Sequence, residues 1–477
     1  MIQIIIYYIT AYMRPQNETA RERLEVELRK SAPVSAVDLS KRLDVSVPTV
    51  LRILREREER VARIGTTKTA RYALRRPLRG IARPIPVYRV DAAGKGHSCG
   101  TLELVEPQGS IMNLKAMGWP LDRNHHNGWW DGLPYPLYDM RPQGFIGRNF
   151  ARYTYRNLGV SPNPEEWSDD DIVYALSRHG SDTTGNLIVG DQAYELWLAS
   201  VANPEVPLPE AGLDERYVEL ADRATSQGVA GSSAAGEFPK FTVARELPGC
   251  ATPHAVVKFS GADDSTAVRR WSDLLVCEHL ALAALGTSPG LRAAPTRVLC
   301  AHGRTFLDVE RFDRHGMFGR SEIVTLESLN AALLGSNESA WPELVKDLTR
   351  AKLSAAGLEE EVRVLWWYGK LIANTDMHLG NLSFSFEPKF DDSPRLRLAP
   401  AYDMLPMLYA PLSGGEVPGR TFDPVLPLPR ERGAWQAACN AALLFWMTAS
   451  QDPRISQPFR NICAGNHERL TVLAQRV

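Results

Sequence analysis

Cysteine is scarce in this 477-residue chain, and the six present (Cys99, Cys250, Cys277, Cys300, Cys439 and Cys463) include no CxxC pair. That scatter argues against a disulfide framework and against a zinc site, and it implies the reduced thiols of a cytoplasmic protein. An excess of one charge is lacking too. The 55 Lys and Arg stand against 56 Asp and Glu, a net of −1, so the whole chain is no polyelectrolyte. A long apolar run is also missing at the start, where MIQIIIYYITAY stops after twelve residues. That is too short to span a bilayer, and it lacks the basic n-region and cleavage site of a signal peptide. It reads either as an over-extended start, with Met13 the initiator, or as a disordered or docking tail. What remains is 44% apolar and 23% charged, the balance of a soluble globular protein, and its length predicts two to four domains.

Charge is uneven along the chain. Residues 20–80 hold 16 Lys and Arg against 8 Asp and Glu. Residues 20–30 are amphipathic, with Leu24 and Leu28 on one face. Ser35 is placed to cap a helix, with Asp38 three residues on in the manner of a capping box, and that helix runs to about Leu43. After the turn at Asp44-Val45, Ser46 caps the next helix, with Pro48 in its first turn, where proline is tolerated. There Val50, Ile53 and Leu54 face inward and Thr49, Arg52 and Arg55 outward. Two alternating segments, Val61–Ile64 and Ala70–Leu74, flank the turn Gly65–Lys68 and predict a hairpin. Seven basic and no acidic residues lie between Arg60 and Arg79. Helix-turn-helix plus basic hairpin makes a winged helix. Thr49, Arg52 and Arg55 would enter the DNA major groove, and Lys68 and Arg71 would neutralise phosphates.

Residues 81–130 alternate in short strand-like stretches (Pro86–Val90, Thr101–Val105) and with their tryptophans suggest a compact, loop-rich mixed domain. His125 and His126 are adjacent and cannot share one face as ligands usually do, so they read as surface or capping residues. Residues 161–200 look helical, and the Pro- and Gly-rich 203–212 reads as a linker.

Six features then follow in order. Gly228–Gly236 is a small-residue loop feeding Phe238–Val243, and it would let backbone amides approach a phosphate. It does not match the Walker A pattern, and alone it would be a linker. His254–Phe259 is an apolar strand carrying Lys258, whose burial calls for an anionic partner. A helix over 272–285 offers Glu278 as that partner. Val309–Asp313 reads as a strand running into a connector, with backbone at Glu310–Phe312 facing an adenine edge and Phe312 its face. Asn374-Thr375-Asp376-Met377-His378-Leu379-Gly380-Asn381 sets Asp376 five residues before Asn381, and Asp403 ends Leu398–Asp403. Phosphoryl transfer needs a carboxylate to accept the attacking hydroxyl's proton, and an amide oxygen and second carboxylate to hold Mg²⁺. The order of parts matches the protein-kinase layout.

With Asn374–His378, Leu398–Asp403 and Val309–Asp313, the chain resembles the HipA family of bacterial serine/threonine kinases, toxins of toxin–antitoxin systems. Leu133–Phe145 and Gly231–Lys240 are similar to its YjjJ-like branch, in which a helix-turn-helix precedes the HipA-like region. The resemblance implies an α+β, bilobal protein-kinase-like fold behind a winged helix. The expected layout is an extension (1–18), a winged helix (19–80), a HipA-like N-terminal subdomain (81–202), a nucleotide-binding lobe (203–315) and a helical catalytic lobe (316–477). It implies Asp376 as base, Asn381 and Asp403 on Mg²⁺, and ATP held by Lys258 and Glu310, Arg311 and Phe312. Gly231, Ser232, Ser233, Gly236, Lys240 and His378 would also surround ATP, and Ser232 and Ser233 are candidates for autophosphorylation. The expected partners are a protein substrate (an aminoacyl-tRNA synthetase or other translation component), DNA, an antitoxin, and a second copy on a palindrome. The other classes of function are a DNA-binding regulator that senses ATP without appreciable phosphotransfer, and a small-molecule kinase like the aminoglycoside phosphotransferases.

Overall fold

The computed structural model describes residues 18–65, 70–121, 125, 127–226, 237–386 and 395–477. They form two units. One takes in the chain up to Pro86 with Gly100–Met117 and Arg123–Pro134, and the other Val87–Cys99, Gly118–Asp122 and Tyr135–Val477.

In the first unit, helix Glu18–Lys30 buries Leu24 and Leu28 one turn apart, the spacing of an apolar stripe. The Ser35 hydroxyl oxygen accepts from the Asp38 amide at 3.1 Å and starts helix Ala36–Leu43. The Asp38 carboxylate in turn accepts the Ser35 hydroxyl at 2.7 Å. Asp44, at φ 53°, ends that helix in the left-handed region, where Asp is better tolerated than most residues. Ser46 caps Val47–Glu56, which buries Val50, Ile53 and Leu54. Strands Val61–Ile64 and Arg71–Leu74 pair antiparallel as expected. A two-residue strand absent from the expectation, Val34–Ser35, adds to the second at Arg71 and Tyr72. The helices close over this sheet around Leu39, Val50, Ile53 and Tyr72. The His125 ring stacks on Trp130, with centroids 4.6 Å apart, and His126 lies outside the described residues.

In the second unit the helical reading of 161–200 needs correction. Helices Asp169–His179 and Asp191–Ala202 are separated by a strand, Leu187–Val189. Those three residues are fully covered and pair antiparallel with Val87–Arg89. A short run of buried apolar residues cannot be told from buried helix by periodicity alone.

The site is positioned by a five-stranded sheet in the order Thr296–Ala301, Arg304–Glu310, His254–Phe259, Lys240–Glu246, Leu208–Pro209. The last pair is parallel and the others antiparallel. So the stretch read as a linker contributes an edge strand. Helix Leu213–Ser226 follows it and packs Leu213, Tyr217 and Ala221 against Phe241, Val257 and Phe306. The helix expected from 272 begins at Thr266, because Ser265 supplies an earlier cap. Four helices, Trp341–Arg350, Leu358–Leu371, Arg432–Gln451 and Gln457–Ala474, bury Trp341, Trp435, Trp446 and Phe459. Among the described residues no helix is long and apolar enough to cross a membrane.

Candidate active site

Lys258 and Lys240 face each other across neighbouring strands, and like charges placed so repel unless anions intervene. Here anions do. The Lys258 ammonium donates to both oxygens of Glu278, at 2.7 and 2.8 Å, and also to Asp403. Glu278 is completely buried on its helix. Burial alone would depress the Lys258 pKa, but the Asp403 and Glu278 carboxylates reverse that and raise it. Burial likewise opposes ionisation of Asp403, and the Lys258 and Lys240 ammoniums outweigh it, holding the carboxyl below its usual range. Burial raises the Glu278 pKa against the pull of Lys258. Lys240 pairs with Glu237 at 2.7 Å, and Glu237 accepts from the Phe145 amide and from Arg148.

The segment 374–381 is held from within. Asn374 Oδ1 accepts from the Asp376 amide at 3.0 Å, and its Nδ2 donates to the Asp403 carbonyl at 3.2 Å. Asn381 Nδ2 donates to the Asp376 carbonyl at 2.7 Å. Tyr402 donates to the Gly380 carbonyl at 2.8 Å. Ala373 and Asp403 sit at φ 58° and 53°, a strained region for side-chain-bearing residues that persists where surrounding structure enforces it. Both flank this site.

A cavity of about 520 Å³ opens here. Lys240, Lys258, Asn381 and Asp403 line it together with Glu310, Arg311 and Phe312. Phe312 stacks with Tyr402, ring centroids 5.6 Å apart. Asp376 and His378 are exposed and do not line the cavity; Asp376 is joined to it through Asn381. His378 Nδ1 accepts from the Gly380 amide at 3.1 Å. At the connector the Glu310 and Arg311 amides already donate, to the Pro295 and His254 carbonyls. Glu310 Oε1 accepts from the Ala251 amide. Gly231, Ser232, Ser233, Gly236 and Lys68 lie outside the described residues. Arg52 and Arg55 are exposed, Thr49 is half-buried, and the Arg71 guanidinium reaches the Pro33 carbonyl at 3.4 Å.

Sequence reasoning missed one whole wall of the cavity, built by residues 139–150 and 175–184. Asp139 is buried there and accepts from the Thr325 amide, the Thr325 hydroxyl and the Ser328 hydroxyl. Burial raises its pKa against those bonds. Asp182 meets Arg311 and Arg314, which also pair with Asp313 at 3.0 and 2.7 Å. Burial and the neighbouring Arg314 push Arg320 down to about 9. Leu133–Phe145 was visible only as a family resemblance, and Asp182 carried no signal, being more than a hundred residues from its partners.

Comparison with known proteins places the chain in a class first. Residues 232–446 match the HipA-like C-terminal domain. Residues 81–198 match the YjjJ-like toxin middle domain. Toxin YjjJ of Escherichia coli (strain K12) is 37% identical over 452 residues, covering 94% of this chain and 98% of that protein. The chain belongs to the YjjJ-like branch of the HipA-like toxin family. Among solved structures, HipA of the Shewanella oneidensis MR-1 toxin–antitoxin complex of HipA, HipB and operator DNA is 15% identical. It covers 82% of this chain and 97% of its own, with a TM-score of 0.49. The Helicobacter pylori proinflammatory kinase CtkA is 12% identical, covers 51% and 90%, and has a TM-score of 0.34.

Proposed function

We propose that the protein is an ATP-dependent serine/threonine protein kinase that acts as a growth-inhibiting toxin and carries its own DNA-binding domain. The observation behind this is Lys258, held between Glu278 and Asp403 in a cavity that Asn381 also lines. The donor set fits Mg²⁺. Among the described residues Asn381 Oδ1 and Asp403 Oδ2 have no hydrogen-bond partner, and both are the hard oxygen donors that Mg²⁺ takes alongside phosphate. When bound, Mg²⁺ would neutralise charge on the phosphates. Lys258 and Lys240 would hold the phosphate chain. Phe312 would cover the adenine. With the Glu310 and Arg311 amides engaged, the Phe312 amide is the connector donor left for the base's edge. Asp376, outside the cavity lining, is accessible to a protein hydroxyl approaching from solvent. It would accept that hydroxyl's proton as the oxygen attacks the terminal phosphorus and the bond to the leaving diphosphate breaks.

The test is incubation of the full chain with labelled ATP, Mg²⁺ and a cell lysate. We expect a labelled protein band that falls by about a hundredfold or more in Asp376→Ala, given what a positioned base contributes. Because Asp376 is exposed, that variant should melt with wild type. Transfer that survives the substitution counts against the role of Asp376. A nucleotide-sensing regulator is favoured by the separation of Asp376 from the cavity lining, and tight ATP binding with no transfer to any protein would establish it.

For residues 18–74, a helix, short strand, two capped helices and hairpin support a winged helix, with Arg52 and Arg55 free to meet DNA. Repression of its own promoter follows as the role of this domain, with an antitoxin and a second copy as further partners.

A further inference from the structure

Four lysine and arginine side chains line the cavity, and three of them are paired with carboxylates. Lys240 has Glu237, Lys258 has Glu278, and Arg311 has Asp313. Arg141 is the exception. Among the described residues its guanidinium has no carboxylate partner and lies 5.9 Å over the Tyr138 ring. Arg141 is half-buried and lines the cavity, and a guanidinium with no carboxylate partner is a ready receptor for an oxyanion, which it can bind through two parallel N–H groups.

The surrounding structure says which part of a ligand it meets. Two residues before Arg141, Asp139 grips Thr325, and Thr325 lies opposite Ser383 in the ladder, two residues beyond Asn381. On the other side the Phe145 amide and Arg148 grip Glu237, the partner of Lys240. Arg141 is thus strung between the Asn381 side and the Lys240 side of the cavity. The connector end is walled instead by Asp182 and Thr183, which hold Arg311. The path between the two anchors is tight. A Cβ on Gly144, at φ 60°, would meet Glu237 Oε1 at 2.7 Å, and one on Gly147 would meet the Pro142 carbonyl carbon at 2.4 Å.

We propose that Arg141 binds the terminal phosphate of the nucleoside triphosphate, making the middle region part of the phosphate site. This rests on the nucleotide reading above. The experiment is calorimetric titration of ATP and of ADP, each with Mg²⁺, into the full chain and its Arg141→Ala and Arg141→Lys variants. The expected result is that Arg141→Ala weakens ATP by about tenfold to a hundredfold, the range for a lost hydrogen bond to a charged group, while ADP changes little. Arg141→Lys should recover part of that preference, because it keeps charge without the fork. If Arg141→Ala does not fold, Arg141→Gln is read by the same criterion. An ATP-to-ADP preference unchanged by the substitution overturns this inference alone. Wild-type protein that binds neither nucleotide overturns the nucleotide reading, and this inference with it.

Discussion

Lys258 joins two carboxylates, Glu278 and Asp403, at one buried position. Its ammonium is the one cation paired with Glu278 among the described residues, and Glu278 is fully buried. Lys258→Met should therefore destabilise the protein by about 3–5 kcal/mol, the usual cost of stranding one partner of a buried pair. Adding Glu278→Leu should recover the part of that loss due to Glu278, because an apolar pair there no longer strands a buried charge, while Asp403 stays partly solvated. Urea denaturation of the single and double variants would measure both. A Lys258→Met protein as stable as wild type would mean that the pair is solvated in solution. Asp139 shows the opposite arrangement, a buried carboxylate held by three neutral donors with no cation among the described residues.

At the scale of elements, the two helices Ala36–Leu43 and Val47–Glu56 start where their capping residues stand. Ser35 and Ser46 each accept an amide from the third residue on, and Ser46→Ala should lower stability by about 1 kcal/mol, measurable as a shift in the urea midpoint. Function should separate from stability on the same helix. Arg52 and Arg55 are exposed, so a variant with Arg52, Arg55 and Arg71 all changed to Ala should keep most of its thermal stability and lose binding to its own promoter. Binding unchanged by the triple substitution in a gel-shift titration would remove these residues from the interface. The alternation of Val61–Ile64 and Arg71–Leu74 sufficed to place a hairpin. The partner of Arg71–Tyr72 on its other edge, Val34–Ser35, is two residues long and has no periodicity to read.

On the scale of the whole molecule, stability should depend on pH through the buried ion cluster at the connector. Asp313 is buried between Arg311 and Arg314. Burial opposes its ionisation, but the two guanidiniums prevail and hold its pKa well below the usual range. A depressed folded pKa gives stability that is complete above the unfolded value of about 3.9 and is lost as pH falls through the folded one. The stability gap between wild type and Asp313→Asn should therefore be constant from pH 7 to about 5 and shrink below about pH 4. Urea midpoints measured across that range would show it, and a gap that widens in acid would contradict the assignment.

Spacing along the chain was enough to bring Lys258, Glu278, Asn381 and Asp403 into one account. Burying a lysine in an apolar strand demands an anion, and an Asp and Asn five apart share one short loop whatever packs around it. Lys258 does pair with Glu278, and its further contact with Asp403 was not legible in the sequence. The caps, the hairpin and the central strands were legible for the same reason, since a capping hydroxyl and a period of two act over a few residues. Tertiary structure alone decided the rest. It placed Asp376 outside the cavity that Asn381 lines, and engaged two connector amides in the sheet. It also brought Asp139 to Thr325 and Asp182 to Arg311 and Arg314, each more than 100 residues away. No local pattern encodes such meetings, because they arise only when separately folded segments bury their surfaces against one another.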